Sequence, residues 1–91
     1  MEKEIKEDKM LEFRYVIKDE TGLHARPAGM LAKLVRDADC AVTITKGDKS
    51  IDADKLIAVM GLGIHQGDEV IVSADDEEVL AKLKYFFETY L

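Results

Sequence analysis

At 91 residues, 47% of them hydrophobic, the chain can build one small two-layer core but not a second domain. A net charge of -6 argues against nucleic acid as a partner, because backbone binding needs a basic face. No apolar run reaches the length of a membrane span and no signal-peptide pattern is present. The single cysteine, Cys40, excludes an intrachain disulfide, so a soluble cytoplasmic protein is expected.

In chain order, residues 1–9 (MEKEIKEDK) carry one aliphatic side chain, Ile5, among charges, and read as a flexible extension to a domain spanning 10–91. Alternation then predicts a strand with Leu11, Phe13, Tyr15 and Ile17 on one face and Glu12, Arg14 and Lys18 on the other. Gly22 breaks the pattern, and Pro27 fits only the first turn of a helix. With Met30, Leu31, Leu34 and Val35 at helical spacing, a helix is predicted from Ala25 to Asp37. Ala41–Lys46 is a second strand, with Val42 and Ile44 inward. It turns through Gly47-Asp48 into a third strand, Ser50–Ala53. Cys40 reads as a small buried hydrophobe. A short apolar helix over Leu56–Met60 closes at Gly61 and Gly63, and Glu69–Ser73 is the last strand. Ala74–Glu78 is an acidic helix start, and the final helix buries Val79, Leu80, Leu83, Phe86, Phe87 and Tyr90. The order predicts an α+β fold, an open-faced sandwich of a four-stranded antiparallel sheet covered on one face by three helices.

Three groups of residues carry chemical interest. His24 falls at or just before the first helix, beside backbone N–H groups that have no partner within the helix and the positive end of its dipole. That environment suits an anion, and Arg26 adds a full charge close by. A neutral imidazole has a lone pair for nucleophilic attack, and phosphoryl transfer asks of a protein mainly positioning and charge neutralisation. The alternative is a histidine used as a helix cap or as a partly buried polar residue. Leu56, Ile57, Val59, Met60 and Leu62 are more apolar residues than one buried stripe can use, so some should face solvent and mark a partner site. Arg26, Lys33 and Arg36 lie along one side of the first helix, either as a stripe that recognises acidic groups or as a solvated face. His65 has no clear partner and reads as surface loop. No ligand spacing points to a metal, and no cofactor is expected.

Gly22-Leu23-His24-Ala25-Arg26-Pro27-Ala28, Asp54-Lys55-Leu56-Ile57-Ala58-Val59-Met60-Gly61-Leu62-Gly63 and Gly67-Asp68-Glu69-Val70 together resemble the HPr phosphocarrier family of the bacterial phosphotransferase system. The resemblance runs from about Met10 to the C-terminus and implies the same open-faced fold, βαββαβα. It implies that His24 is phosphorylated on Nδ1 by enzyme I, which draws on phosphoenolpyruvate. His24 would then pass the group to the A component of a sugar permease. Arg26 would be the charge partner, and the Ala25 and Arg26 N–H groups would face the phosphate. Gly29, Lys33, Arg36, Lys55, Leu56, Ile57 and Met60 would form the docking face, with a monomer expected. Many relatives carry a regulatory serine at the start of the short helix. Lys55 stands there instead, so that kinase-controlled switch is expected to be absent. A second reading keeps the fold and docking face but makes the protein a regulatory module that binds an enzyme or transcription factor. A stand-alone enzyme is disfavoured by the lack of a second catalytic group.

Overall fold

Alternation and turn residues translate into seven elements in the computed structural model, which describes residues 11–91. The expected flexible extension over 1–9 lies outside the described residues. The elements are β1 (Leu11–Val16), α1 (Ala25–Ala38), β2 (Val42–Lys46), β3 (Lys49–Asp52), α2 (Leu56–Gly61), β4 (Glu69–Ala74) and α3 (Glu77–Tyr90). All strand pairs are antiparallel and the sheet order is β1-β4-β2-β3. β4 therefore slots between β1 and β2, and the last strand closes the sheet around pairings made far apart in sequence.

One face of the sheet is dry. Val42, Ile44, Val70, Val72 and Ala74 are each at most 3% exposed and lie under the helices. Ala28, Leu31, Ala32 and Val35 of α1 and Val79, Leu83, Phe86 and Phe87 of α3 supply the other layer. Phe87 is the keystone of that layer. Its ring meets Phe13 at 5.7 Å and Tyr15 at 5.6 Å, both edge-on, which pins α3 across β1. The start of α3 is set by Asp76, whose Oδ1 accepts from the Val79 N–H at 3.1 Å, with Glu77 and Glu78 in the first turn.

Several boundaries differ from the sequence reading, each for a physical reason. Ala74 is not a helix start but the last, fully buried residue of β4, because it pairs with both Leu11 and Val42. Leu11 opens β1 at a sheet edge and is exposed, whereas Ile17, one residue past β1, is buried. Cys40 is half-buried rather than enclosed, since it sits in the α1–β2 turn. Burial and the Asp75 carboxylate beside it raise its thiol pKa. Tyr90 is exposed and stacks on Phe86 at 4.9 Å, and Leu80 is only partly covered.

Phe87→Ala should cost about 3–5 kcal/mol of folding stability. Tyr90→Ala, one turn further along α3, should cost about 1 kcal/mol or less. Urea denaturation of the two variants checks this contrast.

Candidate functional site

The loop from β1 to α1 is held at both ends before it reaches His24. The carbonyl of Leu91, just beyond α3, accepts from the N–H groups of Lys18 (2.6 Å) and Asp19 (2.8 Å). Asp19 then folds the chain back: its carbonyl accepts from Gly22 N–H at 3.0 Å and its Oδ2 from Thr21 N–H at 3.0 Å. Gly22 takes the left-handed conformation, φ +72°. A Cβ there would lie 2.6 Å from the Ile64 carbonyl oxygen, so only glycine lets the loop pass so close. The Leu23 N–H donates to that same oxygen at 3.1 Å, and the His24 N–H reaches back to the Gly22 carbonyl at 3.2 Å.

His24 is the N-cap of α1, with extended backbone (φ -94°, ψ -173°), and its exposed side chain makes no capping hydrogen bond. The helix-cap alternative therefore fails. The first helical bond runs from Ala28 N–H to the His24 carbonyl, 2.9 Å, and Pro27, which has no N–H, sits in the first turn where none is needed. That leaves the N–H groups of Ala25 and Arg26 with no partner inside the helix. No acidic residue occupies the first turn. His24 and Arg26 line one open depression of about 320 Å³, together with Asp19, Pro27, Met30 and Tyr90. An uncovered imidazole and a guanidinium thus line one small depression at a helix N-terminus, an environment that suits an anion. Sequence reasoning did not bring Asp19, Met30 and Tyr90 here. Tyr90 carries a helical signal that reads as core, and nothing local to Asp19 announces the contact.

Beside the depression, α2 sorts its apolar residues. Val59 and Leu62 are buried and Leu56 is partly covered, while Ile57 is 79% and Met60 41% exposed. Lys55 is the N-cap of this helix and sits 3.7 Å from the Asp54 carboxylate, both side chains in solvent. Along α1, Lys33 pairs with Asp37 at 2.9 Å, and Arg36 Nη1 donates to the Asp54 carbonyl at 3.2 Å. Both contacts are exposed and weakly held, so the two cations stay available to an incoming acidic group. Gly29 is half-buried on the same helix.

The loop after α2 supports the site from below, and here His65 departs from the sequence reading. It does lie in an exposed loop, but it has a partner in Asp68. Asp68 Oδ2 accepts from the His65 backbone N–H at 2.8 Å, and the ring Nδ1 lies 3.8 Å from it.

Residues 11–89 match the family described as the PTS HPr component phosphorylation site. This chain belongs to the HPr phosphocarrier family. A phosphocarrier protein HPr of Streptomyces coelicolor is 39% identical over 64 residues, covering 69% of each chain. A multiphosphoryl transfer protein of Xanthomonas campestris is 36% identical over 72 residues, 79% of this chain but only 9% of that much longer one. Among solved structures, an HPr from Thermoanaerobacter tengcongensis superposes with a TM-score of 0.82 at 34% identity, over 88% of this chain and 93% of that one. The HPr fold is therefore present in full over the described residues, four antiparallel strands under three helices.

The backbone bond from His65 and the Lys46 ammonium at 3.0 Å hold the Asp68 carboxyl below its usual pKa of 3.8. A group with a lowered folded pKa adds stability above its unfolded value, and that stability is lost as pH falls through the folded value. Asp68→Asn should therefore lower the urea midpoint at pH 7. The gap from wild type should close as the pH is taken below 3.8, which a pH series of denaturation curves reads directly.

Proposed function

We propose that this HPr-family chain is a phosphoryl relay rather than a catalytic enzyme. His24 takes a phosphoryl group from phosphorylated enzyme I, charged in turn by phosphoenolpyruvate, and hands it to the A component of a sugar permease. The observation that carries this reading is the exposed His24 imidazole at the N-cap. It makes no capping bond and shares its depression with Arg26. In the transfer, a lone pair on a ring nitrogen, Nδ1 by family resemblance, forms the N–P bond as the bond from phosphorus to the donor breaks. The outward step reverses the same exchange with an acceptor, so no water is consumed. Arg26 and the Ala25 and Arg26 N–H groups balance the charge on the phosphoryl oxygens, and positioning supplies most of the remaining rate.

The docking surface follows from the same geometry. Ile57 and Met60 offer apolar contact, while Lys33 and Arg36 border it with positive charge and Gly29 lets a partner approach the helix closely. On a chain of net charge -6, such a local cationic border favours a partner with an acidic rim and speeds encounter. Lys55 offers no hydroxyl for a kinase at the start of α2, so control by serine phosphorylation at that position is absent. The relay acts as a cytoplasmic monomer in this reading. A purely regulatory module would leave an uncovered nucleophile and its cation unused.

With enzyme I and labelled phosphoenolpyruvate, the wild type should acquire an acid-labile, alkali-stable phosphate, and His24→Ala should acquire none. Equal labelling of the two would refute the relay. Arg26→Ala should keep the far-UV circular dichroism of the wild type and slow transfer by about ten- to a hundred-fold. Ile57→Ser, at the most exposed apolar position, should raise the KM for enzyme I several-fold and leave kcat near wild type. An unchanged KM would remove α2 from the docking face.

A further inference from the structure

We propose that Lys46 and Asp68, outside the stretch Gly22–Ala28 that carries the histidine, are positioning residues for His24. The proposal rests on the relay reading for its functional consequence, but its structural core stands on the hydrogen bonds themselves.

His24 is located by what its two predecessors touch. Gly22 passes against the Ile64 carbonyl with no room for a Cβ, Leu23 N–H donates to that oxygen, and His24 N–H donates to the Gly22 carbonyl. A displacement of the Ile64 peptide is thus handed to His24 through two backbone hydrogen bonds and one steric contact. The residues on either side of Ile64 are both tied to the same charged pair. Lys46 Nζ donates to the Gly63 carbonyl at 2.6 Å and to Asp68 Oδ2 at 3.0 Å. Asp68 Oδ2 in turn accepts from the His65 N–H at 2.8 Å. The segment around Ile64 is held between a cation from the end of β2 and a carboxylate from the turn into β4.

Both charges are about 30% exposed, so the pair is partly shielded from water, unlike the Lys33 and Lys55 pairs on the surface. Charge-assisted bonds of this kind are roughly twice as strong as neutral ones. The loop gains further ties from Gln66 Nε2 to the Lys18 carbonyl and from Gly67 N–H to the Ile17 carbonyl. Backbone bonds also reach the residues flanking Ile64, from Gly63 N–H to the Met60 carbonyl at 3.2 Å and from Asp68 N–H to the His65 carbonyl at 3.0 Å, and the charged pair adds the side-chain anchor that joins the two flanks. Misplacing a reacting group by about 1 Å costs on the order of a hundred-fold in rate, so a frame under His24 bears on transfer without touching the phosphate.

The variants that test this are Lys46→Met, Asp68→Asn and, as the conservative rescue, Lys46→Arg. Hydrogen exchange is first followed by NMR on the unphosphorylated protein, comparing the Leu23 amide with the Val72 amide in the sheet. In Lys46→Met and Asp68→Asn, the exchange rate of Leu23 should rise at least about ten-fold more than that of Val72, which reports any global loss of stability. Lys46→Arg should restore wild-type protection. Phosphorylation by enzyme I should then show kcat lowered about ten-fold with KM unchanged in the two disrupting variants, and restored in Lys46→Arg. Unchanged Leu23 protection overturns the proposal, and so does an even loss of protection at Leu23 and Val72, which would signal general destabilisation. A released Leu23 amide with unchanged kcat overturns it as well. Wild-type protein that takes up no phosphate refutes the relay reading instead, and leaves the exchange result to decide the structural claim by itself.

Discussion

The site depends on one backbone oxygen. The Ile64 carbonyl accepts the Leu23 N–H and lies so close to Gly22 that no side chain fits there. This contact joins the loop after α2 to the loop before α1, and it fixes where α1 begins relative to the sheet. Because His24 is the residue at which that helix begins, the exposure of its imidazole is decided by a contact between two stretches of chain about 40 residues apart. The end of α3 closes the same loop from the opposite side, through the Leu91 carbonyl. Three helices and the central strand of the sheet thus converge on a feature that occupies three residues.

Electrostatically, the protein separates a general property from a local one. The excess of carboxylates gives the molecule a negative field, which favours solubility. At the mouth of α1 the local groups are mostly of the opposite sign. The first turn has no acidic side chain, Arg26 stands beside the imidazole, and the helix dipole adds partial positive charge. Asp19 lines the same depression, but its Oδ2 is engaged by the Thr21 N–H, which uses the carboxylate to shape the turn.

Much of this was readable along the chain because the signals are local. Pro27 can stand only in a helix's first turn, Gly22 ends a strand, and Leu31 and Val35 repeat on one helical face, so His24 had to fall at the junction. The surplus of apolar residues over Leu56–Leu62 announced that some would be exposed, and Ile57 and Met60 are. The readings that missed were those that needed a partner from elsewhere. Ala74 looked like the start of a helix until its pairing with Leu11 and Val42 placed it inside the sheet. His65 looked solitary although its partner Asp68 is three residues on, because a turn has no fixed spacing that brings the two together, and Asp68 is also paired with Lys46 from β2. Tyr90 had the spacing of a core residue, but at the end of α3 it is Leu91 that enters the core while Tyr90 stays exposed beside Phe86.

Sequence by itself determined that an imidazole and a guanidinium both fall at a helix mouth, since glycine before them and proline after them leave the helix no other place to begin. It also determined the order of strands and helices, because periodicity and turn residues act over a few neighbours. Only the tertiary structure decided that the imidazole is uncovered, that Arg26 shares its space, and that Lys46 and Asp68 grip the loop beneath. Those facts arise from antiparallel pairing and helix packing between residues distant in the chain, and no local pattern encodes a distance of that kind.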